Sequence, residues 1–243
     1  MKRAINFVTL LILAACAAPV PLNSYGLRVV PDAATYERVT PAEMRLVDLS
    51  PLGIPLDIRY ATPDNFMKQI LYPVAKAYLR APAARALAEV DRELAQRGLG
   101  IKVFDAYRPY RVTVAMWEPI MNPDYVADPA KGSRHNRGAA VDLTLIDRTT
   151  GAELPMPTPY DDFTSRAAHE FTDLPADVVA NRALLREVME RHGFEALPSE
   201  WWHYDFKGWR EYELMDIPLE HLSSGVSSDL SQNLVTSEID PTL

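Results

Sequence analysis

The stretch SRHNRGAAVDLTLI, residues 133–146, decides how this chain folds. Val141, Leu143 and Leu145 alternate with Asp142 and Thr144, so residues 139–146 form a strand with one apolar face and Asp142 on the other. A turn follows at residues 148–151. Ahead of the strand, His135 sits in a loop of small and polar residues.

Upstream, Ala83, Leu87, Val90 and Leu94 recur at helical spacing within residues 80–97, and Gly98 ends that helix. Residues 100–107 then form a strand with Ile101 and Val103 on one face and Asp105 next in the same alternation. Pro109 opens a second helix, expected to end near Glu118, before Pro119. Downstream, residues 178–192 are helical, with Leu184, Leu185, Val188 and Met189 as the buried stripe and Gly193 as terminator. Trp202, Tyr204 and Phe206 alternate with His203 and Asp205, a third strand whose His203 points away from the aromatic side. Short strands mixed with helices, without regular βαβ alternation, predict an α+β domain over residues 41–217: a small antiparallel sheet flanked by helices.

Composition fits that picture. The chain has 243 residues, 48% hydrophobic and 24% charged, enough for one core without a disulfide or structural metal. Its net charge of −8 repels polyanions, which argues against a nucleic-acid partner. The single cysteine, Cys16, follows Lys2, Arg3 and an apolar run too short to span a bilayer. Residues 1–15 therefore read as an export signal, and Leu13-Ala14-Ala15-Cys16 resembles a bacterial lipobox, implying lipidation of Cys16 after cleavage. A proline-spaced tether or arm is expected at 16–40, and an acidic, serine-containing mobile tail at 218–243. The protein is thus expected to be a membrane-anchored lipoprotein of the bacterial cell envelope, facing the periplasm.

Two imidazoles and one carboxylate are the donor set of a zinc hydrolase that keeps an open position. His135, Asp142 and His203 supply it, and one Zn²⁺ held there would lower the pKa of a water to about 7. Glu200 is the candidate general base. It lies three residues before His203, so the chain must bend near Trp201 for both to share a face. Arg108, beside Pro109, is a candidate oxyanion stabiliser, unless it only pairs with Asp105.

The pattern SxHxxGxAxD at residues 133–142, followed by ExWH at 200–203, resembles the zinc D-alanyl-D-alanine peptidases, which share a fold with the amino-terminal hedgehog domain. DIRYATPDNF (57–66), DAYRP (105–109) and MPTPYDDF (156–163) are most similar to the D-alanyl-D-alanine dipeptidase branch, the VanX type. The resemblance implies that His135, Asp142 and His203 bind zinc, that Glu200 activates water and that Arg108 stabilises the transition state. It further implies that Asp161 anchors the free amine of a dipeptide, with Ser133 and Tyr60 as supporting substrate contacts. Asp162 is the competing carboxylate, and either aspartate could instead cap a turn. Met67, Lys68 and Pro157 depart from the family pattern and bear on pocket shape. The implied activity is zinc-dependent hydrolysis of D-alanyl-D-alanine or a related short D-dipeptide. The alternatives are a D,D- or L,D-carboxypeptidase trimming peptidoglycan stems and a non-catalytic zinc-dependent wall-binding module.

Overall fold

The computed structural model describes residues 19–222. The expected signal segment with Cys16 and most of the expected tail lie outside them. In chain order the elements are β1 (Val29–Val30), α1 (Ala33–Val39), β2 (Leu46–Asp48), β3 (Tyr78–Arg80), α2 (Ala81–Ala95), β4 (Leu99–Asp105) and α3 (Tyr110–Ile120). They continue as β5 (Ala140–Asp147), α4 (Ala176–Arg191), β6 (Phe194–Ala196), β7 (His203–Phe206) and β8 (Leu214–Met215).

The central sheet has the order β4-β5-β7-β6, antiparallel throughout. On one face Ile101, Val103, Val141, Leu143, Leu145 and Tyr204 are buried beneath α2 and α4, whose Leu87, Val90, Leu94, Leu185 and Val188 complete the core. The sheet is the expected α+β arrangement, flanked by helices. Two small pairings lie apart from it: β2 with β3, antiparallel, and β1 with β8, parallel.

Four local differences from the periodicity have physical causes. Arg80 belongs to β3, so α2 starts at Ala81 with Pro82 in its first turn, where the missing N–H costs nothing. Arg80 is fully buried, and its guanidinium bonds the Arg137 and Met44 carbonyls, the Tyr36 hydroxyl and the Glu213 carboxylate. Such saturation is what makes a buried charge tolerable. Helix α3 runs one residue past Pro119 to Ile120, although the proline has no N–H to give the Ala115 carbonyl, and Met121 closes the end by donating to the Trp117 carbonyl at 2.8 Å.

A β-bulge between Val103 and Asp105 shifts the β4–β5 register, so Val103 lies opposite Leu143 but Asp105 lies opposite Asp142. Residues directly opposite share a face. Asp105 is therefore turned off the Ile101–Val103 face and onto that of Asp142, as a bulge does when it inserts one residue. Finally, β6 and α1 are additions. The first is three residues long and the second lies in the proline-spaced arm, where Tyr36 is buried and its hydroxyl accepts from the Leu46 N–H at 2.6 Å.

Gly138 closes the loop before β5 with φ of 65°, and a Cβ there would collide with the buried Leu46 side chain. A glycine is required on both counts. The loop carrying His135 thereby docks against β2.

Candidate active site

Asp142 and His203 are register partners on β5 and β7, so their side chains leave the same face of adjacent strands. His135 arrives from a short 3₁₀ turn, residues His135–Arg137, whose first N–H is accepted by Ser133 Oγ at 3.2 Å. One ligand atom from each of the three lies within 4.8 Å of the others, and all three residues are buried.

The rings are oriented from behind. His135 Nδ1 lies 2.6 Å from the Ala106 carbonyl, which commits it as a donor and leaves Nε2 free. His203 Nε2 lies 2.9 Å from Asp205 Oδ1, which leaves Nδ1 free. These free nitrogens stand 3.2 Å apart, with Asp142 Oδ1 at 3.4 Å from the first and 2.9 Å from the second. Two nitrogens at the usual Zn–N distance of roughly 2.0–2.1 Å in a tetrahedral shell stand about 3.3 Å apart. The donor set and its spacing fit Zn²⁺.

Electrostatics agree. Burial works against the Asp142 charge, but His135 and His203 beside it hold its carboxyl well below the usual carboxylate range. Burial would likewise lower the His203 pKa, and its hydrogen bonds to Asp142 and Asp205 reverse this and raise it to about 10 in the metal-free protein. A cation is wanted at this point, whether a proton or a metal.

The expected bend before β7 is present. Residues 200–202 form a turn, with the Glu200 carbonyl accepting from the His203 N–H at 3.4 Å, so the strand begins at His203 and not at Trp202. The Trp201 N–H donates to the Ala167 carbonyl and its Nε1 to Thr158 Oγ1, which locks the turn. Glu200 Oε2 stands 4.0 Å from His203 Nδ1, the free nitrogen. Burial raises the Glu200 pKa, and the Asp142 charge adds to it against the opposing pull of His203, His135 and Arg108.

A cavity of about 560 Å³ opens onto this cluster, and Tyr60, Arg108, Ser133, Asp161 and Glu200 all line it. Arg108 does both things considered for it. Its Nε and one Nη donate to Asp105 Oδ2 at 3.1 and 2.7 Å, and its guanidinium lies over the Tyr60 ring at the cavity wall. Asp161 has φ of 60°, a left-handed conformation uncommon outside glycine. Its carboxylate accepts from the Tyr60 hydroxyl at 3.1–3.2 Å. Burial, aided by the Asp142 charge, raises its pKa well above the usual carboxylate range. Asp162, in contrast, accepts from the Thr164 N–H at 2.9 Å and serves its own turn.

Sequence alone points to neither Asp205 nor Tyr160, and to Asp105 only as a pairing partner for Arg108. Asp205 holds His203, and its place two residues along the same strand face was the signal available. Asp105 holds Arg108 and accepts from the Tyr72 hydroxyl at 2.8 Å. Tyr160 donates to Asp142 Oδ2 at 2.9 Å, and its hydroxyl is 3.2 Å from that of Tyr60, linking the candidate metal-ligand carboxylate to the Asp161 side.

Two histidines and an aspartate around one point, with a half-buried glutamate beside them and an open cavity in front, define a zinc metallohydrolase. The chain belongs to the D-ala-D-ala dipeptidase family of peptidases, whose profile matches residues 42–219. It is 34% identical over 172 residues to the D-alanyl-D-alanine dipeptidase of Escherichia coli (strain K12), covering 70% of this chain and 89% of that one. Similar enzymes of the same description occur in Enterococcus faecium, at 31% identity over 63% of this chain and 85% of the relative. The Streptomyces coelicolor dipeptidase is 32% identical over 68% and 92%, respectively.

Proposed function

We propose that this protein hydrolyses D-alanyl-D-alanine, or a closely related short D-dipeptide, with Glu200 as general base. The carrying observation is the pairing of the His135–Asp142–His203 cluster with a further, half-buried carboxylate, Asp161, in one cavity. Among the described residues the hydrogen-bond donor to Asp161 is a neutral phenol. Burial and the Asp142 charge oppose ionisation of this carboxyl more than Arg108 favours it, and an incoming ammonium group would supply a positive charge in direct contact.

His135 Nε2, Asp142 Oδ1 and His203 Nδ1 would hold Zn²⁺, which supplies Lewis acidity and a water of lowered pKa. Glu200 takes the proton of the attacking water and passes it to the departing amide nitrogen, a transfer suited to a carboxyl whose pKa burial has raised. Arg108, fixed by Asp105, offers its remaining N–H groups to the oxygen that gains charge as the carbonyl becomes tetrahedral. Asp161 and Tyr60 hold the ammonium end. Ser133, whose hydroxyl accepts from the His135 N–H, lines the same cavity and is a further candidate substrate contact.

The ammonium anchor separates this reading from a carboxypeptidase that trims longer stems. N-acetylation of D-alanyl-D-alanine should lower kcat/KM by about a hundredfold or more, since it removes the charge and leaves Asp161 without its ammonium partner. Comparable rates on free and acetylated dipeptide, measured by release of D-alanine, would favour the carboxypeptidase.

We further propose export and anchoring through lipid on Cys16, supported by the basic start, apolar run and lipobox-like junction. The expected result is that wild-type protein sediments with membranes, whereas Cys16→Ser is recovered in the soluble envelope fraction. Equal partition of the two would refute the anchor. An envelope location suits peptide salvage or wall turnover.

A further inference from the structure

We infer that the cavity carries an aromatic subsite selecting dipeptides whose amino-terminal D-residue has a large apolar side chain; this rests on the dipeptidase reading and narrows it. At about 30 Å³ per non-hydrogen atom, the volume of a water in the liquid, D-alanyl-D-alanine occupies at most roughly 330 Å³. The cavity holds about 560 Å³. Aromatic rings make up part of its wall.

Phe66, Tyr125 and Phe163 come from three separate loops and all line the cavity. Phe66 meets Phe163 edge-on with centroids 5.3 Å apart, and Tyr125 stacks on Phe163 at 5.2 Å. The wall continues into the ammonium anchor: Phe66 packs edge-on against Tyr60 at 6.1 Å, and Tyr60 donates to Asp161, two residues before Phe163. Met67 and Lys68, which depart from the family pattern, directly follow Phe66. Met67 packs on the core and Lys68 takes a left-handed φ of 54°.

A dipeptide with its ammonium on Asp161 and its amide at the zinc donors presents its amino-terminal side chain to these rings. The carboxy-terminal side chain lies beyond the reacting carbonyl. Tyr125 is 44% exposed, so a bulky apolar side chain would cover ring surface that a methyl group leaves wet.

The test compares kcat/KM of the zinc-loaded protein on D-Ala-D-Ala, D-Leu-D-Ala, D-Phe-D-Ala and D-Ala-D-Leu. D-Leu-D-Ala or D-Phe-D-Ala should exceed D-Ala-D-Ala by about tenfold or more, and D-Ala-D-Leu should not. Phe163→Ala should cut that preference about tenfold at unchanged zinc content, with Tyr125→Ala as the second variant should the first misfold. Good turnover of D-Ala-D-Ala with poorer turnover of both bulky substrates, or a preference unchanged in the variants, overturns the subsite and leaves the dipeptidase reading standing. No cleavage of any of the four with zinc bound overturns both.

Discussion

Glu200→Gln should lower kcat by about 10²–10⁴-fold while the purified protein keeps its zinc. The amide has the size of the carboxyl and can still hydrogen-bond in the buried turn, but it cannot accept the water's proton and return it. Glu200 stands 4.0 Å from the free nitrogen of His203 and is outside the three-residue donor cluster, so the metal should stay. Steady-state kinetics beside metal analysis of the same sample checks both halves. Near-normal turnover would remove Glu200 as the base. Unchanged wall binding with no turnover in the wild type would instead revive the binding-module alternative.

His203→Ala should abolish zinc retention and reduce turnover to background, because it removes one of three donors and leaves Asp142 buried with less compensation. Chelation of the wild type should do the same reversibly and lower its Tm, since ligand binding to the folded state alone stabilises it. Asp205→Asn is the graded counterpart. Its amide orients His203 less firmly, so zinc affinity should fall about 10–100-fold, with activity restored by excess zinc. The pH dependence has a definite sign. In the metal-free protein His203 holds its proton up to a pKa of about 10, so zinc must displace it, and apparent affinity should weaken as pH falls. Calorimetric titration of the apoprotein at two pH values reads this directly. An affinity that strengthens on acidification would contradict the assigned donors.

The parts of the site legible in sequence are those written as local spacing. His135 and Asp142 lie on one loop and the strand it feeds, and Glu200 and His203 on one turn and the strand after it, so short-range patterns carried them. Period-2 alternation also put Asp142 opposite the core set of β5, where the structure has it. Arg108 was legible as a candidate but not as a resolved role, because its pairing with Asp105 and its place on the cavity wall are compatible only in three dimensions.

The residues that escaped were set by tertiary register. Simple alternation placed Asp105 with Ile101 and Val103, and one bulge turned it to the side of Asp142, a shift no local period encodes. Tyr160 meets Asp142 across a long loop, and Phe66, Tyr125 and Phe163 meet one another from three. Residue order alone determined the donor types, the candidate base, the acidic charge and the run of strands and helices, because each depends on side-chain chemistry or on neighbours a few positions away. Folding decided which nitrogen of each imidazole faces inward, what holds it there and how much room the substrate has, because those follow from strand pairing and loop packing between segments far apart along the chain.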